Sequence, residues 1–188
     1  MNIQEFIENN IQLIDNNEYQ KLYTLIHNMP VNAPPISELT RVLLESGINP
    51  LDHMSRIPPY YAAYLPVDSV DIPLTIVYIE ESAFESCDKL ISVVLPQSVK
   101  TIDDFAFYDC RNLQRCTLPA SLIRIGDGVF YSCSKLTRLT YLGTMEQFQA
   151  LDKGDSDWAN ATITQIECTD GILARVWKGD RFGYQRVS

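Results

Sequence analysis

A chain of 188 residues, 46% hydrophobic and 21% charged, carries enough apolar material for a real core and excludes disordered, collagen-like and coiled-coil chains. Its formal net charge of -9 opposes attraction to nucleic-acid phosphates and to anionic lipid. The first ten residues hold Glu5 and Glu8 with no Lys or Arg, and the apolar stretch 60–67 is far shorter than a membrane span. Neither a secretory signal nor a transmembrane segment is therefore expected, and the reading is cytoplasmic.

In chain order, Ile3, Phe6, Ile7, Ile11 and Ile14 fall on one face at helical spacing, and Tyr19, Leu22, Tyr23 and Ile26 do so again. Two amphipathic helices are predicted. Ser37 is placed to N-cap a third, with Leu39, Val42 and Leu43 inward and Gly47 ending it. Residues 1–64 thus read as a helical domain with a proline-rich connection.

From residue 72 to 141 the chain repeats every 23 positions. Ile79, Ile102 and Ile125 form one column; Phe84, Phe107 and Phe130 a second; Cys87, Cys110 and Cys133 a third; Leu90, Leu113 and Leu136 a fourth. Such a period predicts a solenoid over 65–143, in which stacking neighbours close each unit's apolar face. Within a unit, Leu90–Leu95 reads as a strand, Pro96–Ser98 as a turn, Val99–Ile102 as a second extended piece and Phe105–Cys110 as a helical turn. Residues 144–188 read as a cap: Thr144 and Gln147 have capping-box spacing for a short helix, and Ile163–Cys168 with Ile172–Trp177 form a β-hairpin.

Three columns invite chemistry. The cysteines of the repeat lie three residues from the Phe and three from the Leu of each unit, which places them in the core as small hydrophobes. The five cysteines of the chain contain no CxxC pair, so a zinc or disulfide reading finds no support. Glu81, Asp104 and Asp127 precede the helical turn of each unit and read as its caps. Arg115 and Arg138 occupy equivalent strand positions, with Ser92 before them and Val94, Thr117 and Thr140 two residues on. These alternate with core-facing Val93, Cys116 and Leu139, so they form a solvent-side row, with Tyr78, Lys100 and Arg124 along its neighbouring edge. Arginine and hydroxyl groups on a regular surface suit an acidic protein partner.

The repeat, quoted as AFYDCRNLQRCTLPASLIRI over residues 106–125, resembles the BspA-like (Treponema-type) leucine-rich repeats. Tyr141-Leu142-Gly143-Thr144, with Phe148 and the later Glu167–Gly171, looks like the usual ending of such chains. The resemblance implies parallel strands lining a curved solenoid, protein binding or attachment as the usual role, often at bacterial surfaces, and no enzymatic activity. The fold class expected is therefore α/β: about three 23-residue leucine-rich repeats, preceded by a small all-α domain and closed by a helix plus β-hairpin.

Catalysis finds no motif. The histidines, His27 and His53, neighbour no nucleophile pattern, and no GxSxG, P-loop, HExxH or Rossmann glycine pattern occurs. The expected function is a non-enzymatic protein–protein interaction module with no cofactor and no metal. Its partner is an unidentified protein, with no direct nucleic acid or membrane contact, and the chain is a monomer or weak homodimer. The alternative is a small acidic inhibitor, bacterial or phage-encoded, that imitates DNA charge and blocks a nucleic-acid enzyme. By segment, residues 1–70 carry -5, residues 71–143 carry -2 and residues 144–188 carry -2, so the acidic excess sits in the helical part.

Overall fold

The computed structural model describes residues 2–16, 18–28, 35–154, 158–159, 162–177 and 182–187. Its first elements are helices α1 (Ile3–Asn9), α2 (Ile11–Asp15), α3 (Tyr19–His27) and α4 (Ile36–Glu45), followed by a 3-10 turn at Pro50–His53. Helix α1 opens on a capping box: the Asn2 side chain accepts from the Glu5 N–H and the Glu5 carboxylate accepts from the Asn2 N–H. The single helix expected over Ile3–Ile14 breaks at Asn10, whose Nδ2 donates to the Phe6 carbonyl at 2.8 Å in competition with the helical ladder. Ser37 does not cap α4; it lies inside the first turn, behind Pro35, and makes no side-chain cap bond. Gly47, at φ 78°, ends that helix as expected. The Ile48 N–H reaches the Leu43 carbonyl and the Gly47 N–H the Leu44 carbonyl, both at 2.9 Å, which is the paired closure that a left-handed residue permits.

The strands that follow among the described residues are β1 (Arg56–Ile57), β2 (Tyr78–Ile79), β3 (Ser92–Val94), β4 (Thr101–Ile102), β5 (Arg115–Leu118), β6 (Arg124–Ile125), β7 (Arg138–Tyr141), β8 (Asp152–Lys153), β9 (Gln165–Cys168), β10 (Gly171–Trp177) and β11 (Phe182–Arg186). Helix α5 (Met145–Ala150) lies between β7 and β8, opened by the expected Thr144–Gln147 capping box. Sheet I runs β1-β2-β4-β6-β8, parallel and in register throughout. Sheet II runs β3-β5-β7-β9 in parallel and continues antiparallel into β10 and β11. The solenoid therefore makes about five turns over residues 56–167, beyond the repeats that the columns display. The two sheets meet at proline corners, where Val99 donates to the Pro96 carbonyl and Leu122 to that of Pro119.

The third side is not a stack of helical turns. Residues 105–110 and their equivalents form successive tight turns whose N–H groups bond along the solenoid axis: Phe84 to the Ala106 carbonyl at 2.8 Å, Ser86 to Tyr108 at 2.8 Å, Asp109 to Tyr131 at 2.9 Å. So short a helix would leave most of its terminal groups unpaired, whereas stacking pairs them with the next unit. Ser86, Asp109 and Ser132 take left-handed φ of 55°, 57° and 62° to allow it. The carboxylates do not cap helices here. Asp104 Oδ1 instead accepts the Asp127 N–H of the next turn at 2.9 Å, and the chain passes so closely that a Cβ on Gly126 would meet the Asp104 nitrogen at 2.6 Å.

One aromatic spine joins both ends. Ring centroids follow one another from Tyr23 to Tyr61 at 5.6 Å, to Phe84 at 6.1 Å, Phe107 at 5.2 Å, Phe130 at 5.7 Å, Trp158 at 6.3 Å and Tyr184 at 6.0 Å. The helices thus close the first turn through Tyr23, which is buried and bonded to Thr40 Oγ1 at 2.6 Å. Inside the stack the phenylalanines lie within 12° of parallel; Tyr61 and Trp158 meet its ends edge-on, at 72° and 76°.

Candidate functional site

Alternation along β5 and β7 builds an outer face on sheet II. Arg115 and Arg138 are exposed and Thr117 and Thr140 half-buried, while Cys116 and Leu139 between them point into the core. Arg115 stands in register with Ser92, one residue before the Cys116–Leu139 pair that sets Arg138 beside it. Thr117 pairs with Val94 and Thr140, and Thr140 with Glu167. Like charges directly opposite cost about 0.2–1 kcal/mol. The Arg138 Nη1 offsets this through Glu167 Oε1 at 2.6 Å, but with side chains 55% and 39% exposed that pair is screened and contributes little. Arg115 has no acidic partner among the described residues.

The other three candidates stand elsewhere. Tyr78 and Arg124 lie on sheet I and Lys100 directly before β4, around the proline corner from the arginine row rather than along its edge. Arg124 is held by Asp152 at 3.0 Å and Asp104 at 3.8 Å, which pushes its guanidinium further up. Tyr78 lies under the Arg56 guanidinium at 5.0 Å and lines a shallow cavity with Glu80, Thr101 and Asp103. A 23-residue column orders residues along the axis but does not tell which side of a corner they occupy, and that is why the sequence groups them.

The outer face extends further than the row read from the sequence. Val94 is 65% exposed at one margin, and beyond Glu167 and Gln165 the hairpin carries Ile172 and Ala174, then Gln185, on the same side. Period-two alternation over 165–177 is the signal that could have revealed this continuation.

Each repeat cysteine donates its Sγ–H to a carbonyl of the preceding turn: Cys87 to Ala62 at 3.2 Å, Cys110 to Phe84 and Cys133 to Phe107 at 3.1 Å. Contact with Cys110 and burial push the Cys87 and Cys133 thiols far up, and burial does the same at Cys116. Cys87, Cys116 and Cys133 therefore stay protonated, whereas the flanking Cys133 and Cys87 thiols pull Cys110 the other way, down to about 5. Among the described residues no group of three or more His, Cys, Asp or Glu could hold a metal ion, and no helix is long and apolar enough to cross a membrane. Lys153 sits in the column of Ile125, and its ammonium closes α5 through the carbonyls of Phe148, Gln149 and Leu151 at 2.7, 3.2 and 2.9 Å; burial pushes it down.

The description "BspA type Leucine rich repeat region (6 copies)" belongs to a family model that matches residues 55–170. A leucine-rich repeat protein from Bacteroides ovatus is similar at 26% identity with a TM-score of 0.51, over 61% of this chain and 28% of that one. A leucine rich cell surface protein from Faecalibacterium prausnitzii is 28% identical with a TM-score of 0.44, over 53% of this chain and 33% of that one. The chain thus spans about a third or less of the solved structures it matches. No curated protein matches it.

Proposed function

Because the chain belongs to the BspA-type leucine-rich repeat family, we propose that it is a non-enzymatic interaction module whose partner is a protein docking on the outer face of sheet II. The observation that carries this reading is the side-by-side placement of Arg115 and Arg138 with, among the described residues, one neighbouring carboxylate, Glu167. An acidic side chain laid across the two guanidiniums relieves their repulsion and accepts charge-assisted bonds worth about 1.5–3 kcal/mol each. Thr117 and Thr140 supply hydroxyls beside them, and Val94 an apolar margin. The family match extends over residues 55–170 and includes both arginines.

The test is affinity capture from a lysate of the source cell, comparing wild type with an Arg115→Glu, Arg138→Glu double variant whose fold is checked by circular dichroism. Loss of two charge-assisted bonds lowers retention of the specific partner at least about tenfold. Equal retention by the folded variant refutes this face. A retained partner that is a nucleic-acid enzyme, eluted by competing DNA, transfers the function to charge mimicry.

A further inference from the structure

The tight turns on the third side of the solenoid enclose a cavity of about 440 Å³ that no strand residue lines. Tyr64, Ser86 and Asp109 hold equivalent places in three successive turns. The Tyr64 N–H reaches the Glu85 carbonyl at 2.8 Å, that of Ser86 the Tyr108 carbonyl at 2.8 Å, and that of Asp109 the Tyr131 carbonyl at 2.9 Å. Tyr64 forms one wall of the cavity, Ser86 with Asp88 and Lys89 the floor, and Asp109 with Arg111 the opposite wall. Two steps of about 4.8 Å separate the walls, which is room for one six-membered ring. All three column residues take left-handed backbone, at φ 64°, 55° and 57°. Such backbone disfavours bulky side chains, and the later turns place Ser86, Asp109 and Ser132 there. Tyr64 is the exception in this column, and its ring stays 68% exposed, so burial does not offset the strain. A strained aromatic left open to solvent points to a ligand rather than to the core.

The polar groups of the cavity are largely unengaged. The Asp88 carboxylate, the Lys89 ammonium and the Ser86 hydroxyl have neither a hydrogen bond nor an ion pair among the described residues. Arg111 forks onto Asp109, Nε to Oδ1 at 2.9 Å and Nη2 to Oδ2 at 2.8 Å, which leaves Nη1 unbonded among them. The Asp88 main chain is fixed, its carbonyl accepting from Asn112 Nδ2 at 2.6 Å and its N–H donating to the Ser86 carbonyl at 2.8 Å. Asp88 and Asp109 balance Lys89 and Arg111, so the cavity favours neither an anion nor a cation by net charge. It offers donors, an acceptor, a hydroxyl and an aromatic ring. A hexopyranose matches that set. Its hydroxyls both donate and accept, it is uncharged, and one side of its ring presents C–H groups that suit the negative face of an aromatic ring. We infer that this cavity binds a neutral hexopyranose stacked on Tyr64, with Asp88 accepting from its hydroxyls and Lys89 and Arg111 donating to them. The site lies outside sheet II and does not rest on the arginine face proposed above.

The test is saturation-transfer NMR on the full chain with the methyl glycosides of β-D-glucose, β-D-galactose and α-D-mannose, which differ in hydroxyl geometry. The expected result is transfer to at least one of them, with a Kd of about 1 mM that holds between about 50 mM and about 0.5 M NaCl because the ligand is neutral. Tyr64→Phe keeps the ring and binds within about twofold of wild type. Tyr64→Asn, suited to left-handed backbone, loses binding at least about tenfold while its urea midpoint stays level or rises. Asp88→Ala loses about tenfold with the fold intact, since that carboxylate bonds nothing else among the described residues. The Arg115→Glu, Arg138→Glu variant binds the glycoside as wild type does, which separates failure of this cavity from failure of the arginine face. Five results would each overturn the inference: transfer to none of the three glycosides, undiminished binding by Tyr64→Asn or Asp88→Ala, a lowered midpoint in Tyr64→Asn, loss of binding in the double variant, or tighter, salt-sensitive binding of D-glucuronate or D-glucosamine.

Discussion

Replacing Phe107 by alanine removes the middle ring of the spine. The side chain is completely buried, with Phe84 at 5.2 Å on one side and Phe130 at 5.7 Å on the other. Truncating a buried phenylalanine costs about 3–5 kcal/mol, and two lost stacking contacts at about 0.5–1.5 kcal/mol each place this site near the top of that range. With a urea slope of roughly 2 kcal/mol per molar, the unfolding midpoint falls by about 2 M. Phe107→Leu keeps most of the volume and loses about 1 kcal/mol. Two probes report opposite ends of the chain: far-UV circular dichroism follows the helices, most of them N-terminal among the described residues, and tryptophan fluorescence follows the C-terminal part, which contains both tryptophans, Trp158 and Trp177. One cooperative unit requires the two transitions to coincide in wild type. A midpoint shift below about 0.5 M would refute the packing argument. Separated transitions in the wild-type chain would refute the idea that the spine couples the helices to the solenoid.

Among the five cysteines, Cys87, Cys110, Cys116 and Cys133 are buried and only Cys168 is half-buried, so an aromatic disulfide reagent labels one thiol in the native protein and all five in urea; rapid labelling of more than one would contradict the donor role of the column. Burial, followed by neighbouring charge, raises the ionisation of Tyr23 and Tyr61 above the ordinary tyrosine range. A raised folded value means that the unfolded chain loses these protons first, so their contribution is complete below about pH 10 and is lost as pH rises toward the folded values. Thermal melts between about pH 9 and pH 11.5 should show that decline, and Tyr23→Phe should flatten it at the cost of the Thr40 bond; an unchanged slope would contradict the assignment.

Columns of identical residues made the middle of the molecule legible in the sequence, down to the strands, the proline corners and the inward cysteines. The end turns escaped because their spacing departs from 23, Ile57 standing 22 residues before Ile79 and Lys153 28 after Ile125, and they also invert one pair. Where inner units place Ala83–Phe84 or Ala106–Phe107, the first turn has Tyr61–Ala62 and the last Trp158–Ala159, so the large and small members exchange columns. A search for a 23-residue period passes over them, although the backbone continues unbroken through Ala62 to Ala83 and Phe130 to Trp158. The tight turns look helical in sequence because a run such as Phe-Ala-Phe-Tyr-Asp-Cys satisfies local helix patterning, and axial hydrogen bonding becomes visible only once the turns are stacked. Likewise β11 carries a glycine and no clean alternation, and its pairing with β10 is set by the hairpin geometry.

The edge-on rings of Tyr61 and Trp158 have a consequence for how such a chain can change length. Parallel phenylalanines form an open series, since each ring offers its successor the same surface it received; a ring turned by about a right angle ends that parallel series, and beyond it the contacts to Tyr23 and Tyr184 are tilted. The two terminators differ in chemistry, tyrosine on the helical side and tryptophan on the hairpin side, yet both receive the same phenylalanine face. Duplication of one 23-residue unit between them would therefore lengthen the molecule by a single step of about 4.8 Å while leaving both closures chemically unaltered. Size, in this architecture, is an editable number of interior letters between fixed punctuation.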